Sequence, residues 1–73
     1  MRKLLITGIA GPLGRRLARR LAESWAVCGV DARPWPGRPR EIAMHVADLR
    51  KREFEEVVRG ERPHAIVHLG VRR

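Results

Sequence analysis

A chain of 73 residues is one small domain at most, which leaves no room for an enzyme with separate cofactor and substrate lobes. With 44% hydrophobic and 33% charged residues it has the make-up of a folding chain rather than a disordered tail, and no apolar run approaches the ~20 residues that span a bilayer. Sixteen Lys plus Arg against eight Asp plus Glu give a formal net charge of +8, and fourteen of the sixteen are arginine, a chemistry suited to phosphate and carboxylate.

Lys3 to Thr7 is short, apolar, partly β-branched and closed by Gly8, which predicts a buried strand. Gly8 to Gly11 predicts a turn, and Pro12 suits the first turn of a helix, where its missing N–H matters least. From Leu13 the period is helical. Leu13, Leu17, Ala18 and Leu21 form one apolar stripe with Arg15, Arg16, Arg19 and Arg20 off it, and the helix fades near Glu23–Ser24. Trp25 to Val30 reads as a second buried strand closing on Asp31. Arg33 to Arg40 holds three prolines and a glycine around Trp35 and reads as a loop, with Trp35 either its anchor or an exposed ring. Glu41 to Ala47 predicts a third strand. Asp48 is placed to cap a second helix, which turns Leu49, Phe54, Val57 and Val58 inward and stops at Gly60 and Pro63. Ala65 to Leu69 is the fourth strand. The resulting order, β-α-β-loop-β-α-β with near-continuous apolar strands, predicts an α/β partial Rossmann fold. Its parallel sheet has four strands in the order 3-2-1-4, with the two helices on opposite faces of a single domain, residues 1–73.

One cysteine, Cys28, cannot close an internal disulfide, and nothing asks for an oxidising compartment. The N-terminus is a poor leader peptide, because Thr7, Gly8 and Gly11 break its apolar run and four arginines follow. A cytoplasmic location is expected.

The main chemical signal is Thr7-Gly8-Ile9-Ala10-Gly11-Pro12-Leu13-Gly14, at the joint between the first strand and first helix. Gly8 allows a sharp exit from the strand, Gly11 lets backbone approach a pyrophosphate, and Gly14 lets the helix lie close to the sheet. The helix N-terminus then offers free N–H groups and a positive dipole end to an anion. The spacing is G-x-x-G-x-x-G, not the G-x-G-x-x-G of the standard dinucleotide fingerprint. Asp31, 17 residues beyond Gly14 and at the end of the second strand, stands where a carboxylate accepts hydrogen bonds from a ribose diol.

These segments resemble the N-terminal part of an extended short-chain dehydrogenase/reductase, the NAD-dependent epimerase/dehydratase family. The matching stretches are Leu5 to Gly14, Gly29-Val30-Asp31, Ala47-Asp48-Leu49-Arg50 and Pro63 to Gly70, in order and covering nearly the whole chain. The resemblance implies that Gly8, Gly11 and Gly14 hold the cofactor pyrophosphate, with a backbone contact from Leu13. It implies that Asp31 holds the adenosine ribose, that Asp48 and Leu49 flank the adenine, and that Leu69 and Gly70 line the cofactor after the fourth strand. Gly70-Val71 stands where the family usually has two alanines. Asp31 favours NAD, since a carboxylate repels a 2′-phosphate, while Arg33 and Arg15 offer a phosphate clamp that keeps NADP open.

The resemblance also implies a catalytic tyrosine with a lysine four residues later, acting on a nucleotide-sugar or similar substrate. The chain contains no tyrosine, so it is expected to be truncated before the catalytic half, and no residue is assigned a catalytic role or a metal. Two other readings stand beside cofactor binding. The open edge of the fourth strand could pair with a second copy or a separate chain. The arginine-rich first helix has the charge of a nucleic-acid binder, but with three aromatic residues and no binding motif it is expected to be a solvated face.

Overall fold

The computed structural model describes residues 1–48 and 50–69. Six elements follow in order: β1 (Lys3–Thr7), α1 (Pro12–Leu21), β2 (Ala26–Asp31), β3 (Ala43–Val46), α2 (Lys51–Glu61) and β4 (Ala65–His68). The strands form one sheet in the order β3-β2-β1-β4, and all three pairings are parallel. Leu5 of β1 lies opposite Cys28 on one side and Ile66 on the other, so β1 is the centre of the sheet.

Side chains alternate across a strand, and β1 uses that alternation to build two cores. Leu4 and Ile6 face α1 and join Ile9, Ala18, Val27, Trp35 and Ile42. Leu5 faces α2 and joins Cys28 and Val30, with Phe54, Val57 and Val58 packed against them. Leu5 and Ile6 are both fully buried, each contributing roughly 1.5–3 kcal/mol of apolar burial. The two helices therefore lie on opposite faces, as the strand pattern requires. Burial pushes the Cys28 thiol up to about 11, as befits a small core hydrophobe.

The structure departs from the sequence reading in several places, among them strand and helix ends that shift by one or two residues, with β2 starting at Ala26, α1 ending at Leu21 and β4 ending at His68. Leu13, expected on the inward stripe of α1, is 62% exposed, because the helix turns Gly14 and Ala18 to the sheet instead. The third strand is shorter than the predicted 41–47: Ile42 folds into the α1-side core before the strand begins at Ala43. Asp48 does not cap α2, whose N-cap is Arg50; the Asp48 carboxylate instead meets Arg50 Nε at 3.0 Å. Gly60 lies inside α2, and the helix is stopped two residues later by Arg62, in the left-handed conformation with φ 53°. Its N–H donates to Val58 O at 2.8 Å, a closure usually given to glycine.

The proline-rich loop is packed rather than loose. Trp35 is 5% exposed and anchors the loop on α1, with the guanidinium carbons of Arg15 and Arg19 at 5.8 and 5.7 Å from its ring centroid. No helix among the described residues is long and apolar enough to cross a membrane.

Candidate functional site

In a parallel sheet all strands end on the same side, and the polar features of this chain converge there. The glycine turn follows β1, Asp31 ends β2, Ala47 and Asp48 follow β3, and Leu69 follows β4. The turn is built on backbone. Gly8, with φ 73°, occupies a conformation that side chains disfavour, and its N–H donates to Val30 O at 2.9 Å. Gly11 N–H donates back to Gly8 O at 3.2 Å, and Arg15 N–H to Gly11 O at 2.9 Å opens the helix. Gly14 is where α1 touches the turn: a Cβ there would sit 2.4 Å from Gly8 O and 2.7 Å from Ile9 Cα. The first helical amides of Leu13 and Gly14 have no backbone acceptor among the described residues, as expected of a helix N-terminus, and neither a capping side chain nor an acid in the first turn answers them.

Asp31 is locked to this turn. It is 5% exposed; Oδ2 accepts from Ala10 N–H at 3.0 Å, and Oδ1 from Arg33 N–H at 3.0 Å and Arg33 Nε at 3.4 Å. Burial alone would raise its pKa, but these two amides and the guanidinium outweigh it and hold the carboxyl below its ordinary value. It is thus an ionised group with only acceptors, suited to hydroxyl donors and hostile to another anion. The buried end of the turn rests on a contact that no sequence period showed: Ile9 fills the space beside Gly29, where a Cβ would come within 2.3 Å of Ile9 Cδ1. The only trace in the sequence is a glycine inside an otherwise apolar strand.

The remaining expected residues sort unevenly. Arg33 reaches over the turn, its Nη2 3.3 Å from where a Gly11 Cβ would be. Arg15 does not join it: its Nε donates to Ala10 O at 2.7 Å and its guanidinium lies against Trp35. Asp48 is half exposed beyond β3, held by Arg50. Leu69 N–H donates to both the carbonyl and the hydroxyl oxygen of Thr7, each at 3.0 Å, which fixes the chain after β4 against the end of β1. His68 Nδ1 lies 3.2 Å from the same Thr7 hydroxyl, with its ring against Phe54. Leu49 and Gly70 lie outside the described residues.

The family model described as "NAD dependent epimerase/dehydratase family" matches residues 4–73. The chain belongs to that family. Solved structures share this fold. A GalE-like L-threonine dehydrogenase from Cupriavidus necator, in its holo form, superposes with a TM-score of 0.82 at 27% identity over 97% of this chain and 24% of its own. A dTDP-glucose 4,6-dehydratase from Bacillus anthracis, in complex with NAD, gives 0.78 at 16% identity over 99% of this chain and 27% of its own. A short chain dehydrogenase from Leptospira borgpetersenii with bound NAD+ gives 0.74 at 21% identity over 92% and 30%. The last two show the fold alone. The epimerase/dehydratase chain thus spans between 24% and 30% of the length of these solved relatives. A sequence search of curated proteins gave no match.

Proposed function

We propose that this chain holds NAD across the C-terminal ends of its strands and so forms the cofactor-binding part of an epimerase/dehydratase-type protein. The observation that carries the reading is the 3.0 Å bond from Ala10 N–H to Asp31 Oδ2, which ties the glycine turn to the acid. A pyrophosphate cradle and a ribose acceptor are thereby held in one rigid unit. The residues present fit the cofactor: Gly11 carries no side chain over the turn, Gly14 lets α1 close on the turn, and Asp31 is ionised. In this reading Gly8, Gly11, Gly14 and the Leu13 amide hold the pyrophosphate. Asp31 accepts from the adenosine ribose, Asp48 and Leu49 flank the adenine, and Leu69 and Gly70 line the cofactor after the fourth strand. When bound, NAD supplies a hydride acceptor. The reaction of the whole protein is oxidation or epimerisation of a nucleotide-sugar or similar substrate. Its tyrosine–lysine pair is not found in this chain, which has no tyrosine. We place the protein in the cytoplasm.

A second reading concerns partners. β4 is an edge of the sheet and Ile66 on it is 39% exposed, which supports strand addition there by a second copy or another chain. The cofactor reading is tested by titrating the purified chain with NAD and recording saturation-transfer NMR. Transfer to adenine and ribose protons is expected; its absence at millimolar NAD, from a sample with dispersed amide resonances, would sink the reading.

A further inference from the structure

We propose that the outer side of α1 is a docking surface for the phosphate backbone of a nucleic-acid duplex, bound without readout of base sequence. The inference does not depend on the cofactor reading.

Charge in this chain is segregated. Pro12–Leu21 and residues 32–40 together hold seven arginines and no acid, while the remaining residues hold nine Lys or Arg against eight Asp or Glu. Nearly the whole net charge of +8 therefore sits on α1 and the proline-rich loop. The fold brings these two segments together. Trp35 is buried against α1, with the guanidinium carbons of Arg15 and Arg19 at 5.8 and 5.7 Å from its ring centroid, and Arg38 N–H donates to Trp35 O at 3.2 Å. Arg15, Arg16, Arg19 and Arg20 line one open groove along α1, where the one lining acid among the described residues is Glu23. None of these four, nor Arg38 or Arg40, pairs with a carboxylate among the described residues. Arg15–Arg19 and Arg16–Arg20 are i,i+4 rows of like charge, which weaken an isolated helix. α1 carries that repulsion with no acid of its own to relieve it.

An extended polyanion answers such a surface, and its details favour a phosphate duplex. Guanidinium forks match phosphate oxygens two at a time. The ten residues of α1 span about 15 Å. Over that length a duplex, with one charge per about 1.7 Å of axis, presents several phosphates. Both tryptophans on this side are packed into the core, so the surface lacks the stacking platform on which single strands depend. Leu13 is the one large apolar side chain left exposed on α1, too little for insertion at a membrane surface.

Two double variants of equal net charge separate this surface from simple basicity. Arg16→Gln/Arg20→Gln takes two guanidiniums from the groove. Arg52→Gln/Arg59→Gln takes two exposed arginines from α2, on the opposite face of the sheet. Gln keeps helix propensity, and circular dichroism melts check the fold of each. Binding to a DNA duplex of about 20 base pairs is titrated by fluorescence anisotropy from about 50 to 200 mM salt. For the wild type, log Kd is expected to rise linearly with log salt. The groove variant is expected to bind roughly tenfold more weakly at low salt and to lose about 1.8 from the salt slope, while the α2 variant loses less than about 0.5. Equal losses in the two variants, or no wild-type binding at the low-salt end, would overturn the proposal. So would tighter binding to a single strand of the same length, to poly-glutamate of matched charge, or to vesicles of phosphatidylserine and phosphatidylcholine, the last making the groove a membrane contact.

Discussion

In the proposed reading Asp31 joins stability to recognition at a single carboxylate. Its two amide bonds and its contact with Arg33 are satisfied only when it is ionised. The shift is downward, so the sign is fixed. The group contributes stability above its unfolded pKa near 3.9, and that contribution is lost as pH falls through the lower folded value. Stability is therefore expected to be flat in this respect above about pH 5 and to decline in the acid range below the ordinary carboxylate pKa. Asp31→Asn keeps the size and loses the charge. It is expected to cost about 2 kcal/mol at pH 7 and to flatten the acid slope of stability measured by urea unfolding from pH 2.5 to 7. A residual slope is expected from Glu61, held below its ordinary value first by the His45 ring and then by Lys3. An undiminished slope in Asp31→Asn would show that the carboxylate is not the group being titrated.

At the scale of elements, the chain was most legible where apolar period and turn chemistry agreed. All four strands, both helices and the 3-2-1-4 order follow from apolar runs, glycine punctuation and the handedness of crossovers. What was not legible is the choice among local alternatives that tertiary packing decides. Two leucines and a glycine compete for the inner side of α1, and Gly14 wins because only it can approach Gly8 O. That displaces Leu13 to solvent. Asp48 has the right chemistry for a cap but begins too far ahead of Lys51, and Gly60 is passed over for Arg62 because α2 runs one residue beyond it, to Glu61. The glycines of the two helices thus have opposite meanings, and one substitution shows it. A Cβ added at Gly60 would meet nothing within 4 Å, so Gly60→Ala removes only backbone freedom. It is expected to stabilise by about 0.5–1 kcal/mol. Gly14→Ala drives a methyl into backbone 2.4 Å away and is expected to cost roughly 3 kcal/mol or to abolish the cooperative transition. Urea unfolding followed by far-UV circular dichroism measures both. A destabilised Gly60→Ala, or a Gly14→Ala of unchanged midpoint, would contradict the helix placement.

For the molecule as a whole, small size and charge set the terms on which a ligand acts. A chain of this length buries about 60% of its unfolded surface, and its +8 charge adds self-repulsion to a small core. Marginal stability makes ligand binding easy to read as a thermal shift. A ligand that binds only the folded chain, present at ten times its Kd, adds about 1.4 kcal/mol, which in a domain of this size raises Tm by roughly 6–11 °C. The same arithmetic exposes a confounder, since any polyanion relieves repulsion in so basic a chain. Inorganic pyrophosphate at matched ionic strength isolates that contribution. In the proposed reading it meets the glycine turn but has no ribose for Asp31. NAD is expected to raise Tm beyond pyrophosphate at equal concentration, and NADP to raise it less than NAD, because the ionised Asp31 beside the turn opposes a 2′-phosphate. An NADP shift equal to or above that of NAD would remove Asp31 from the ribose. An NAD shift no larger than that of pyrophosphate would reduce the whole effect to charge neutralisation.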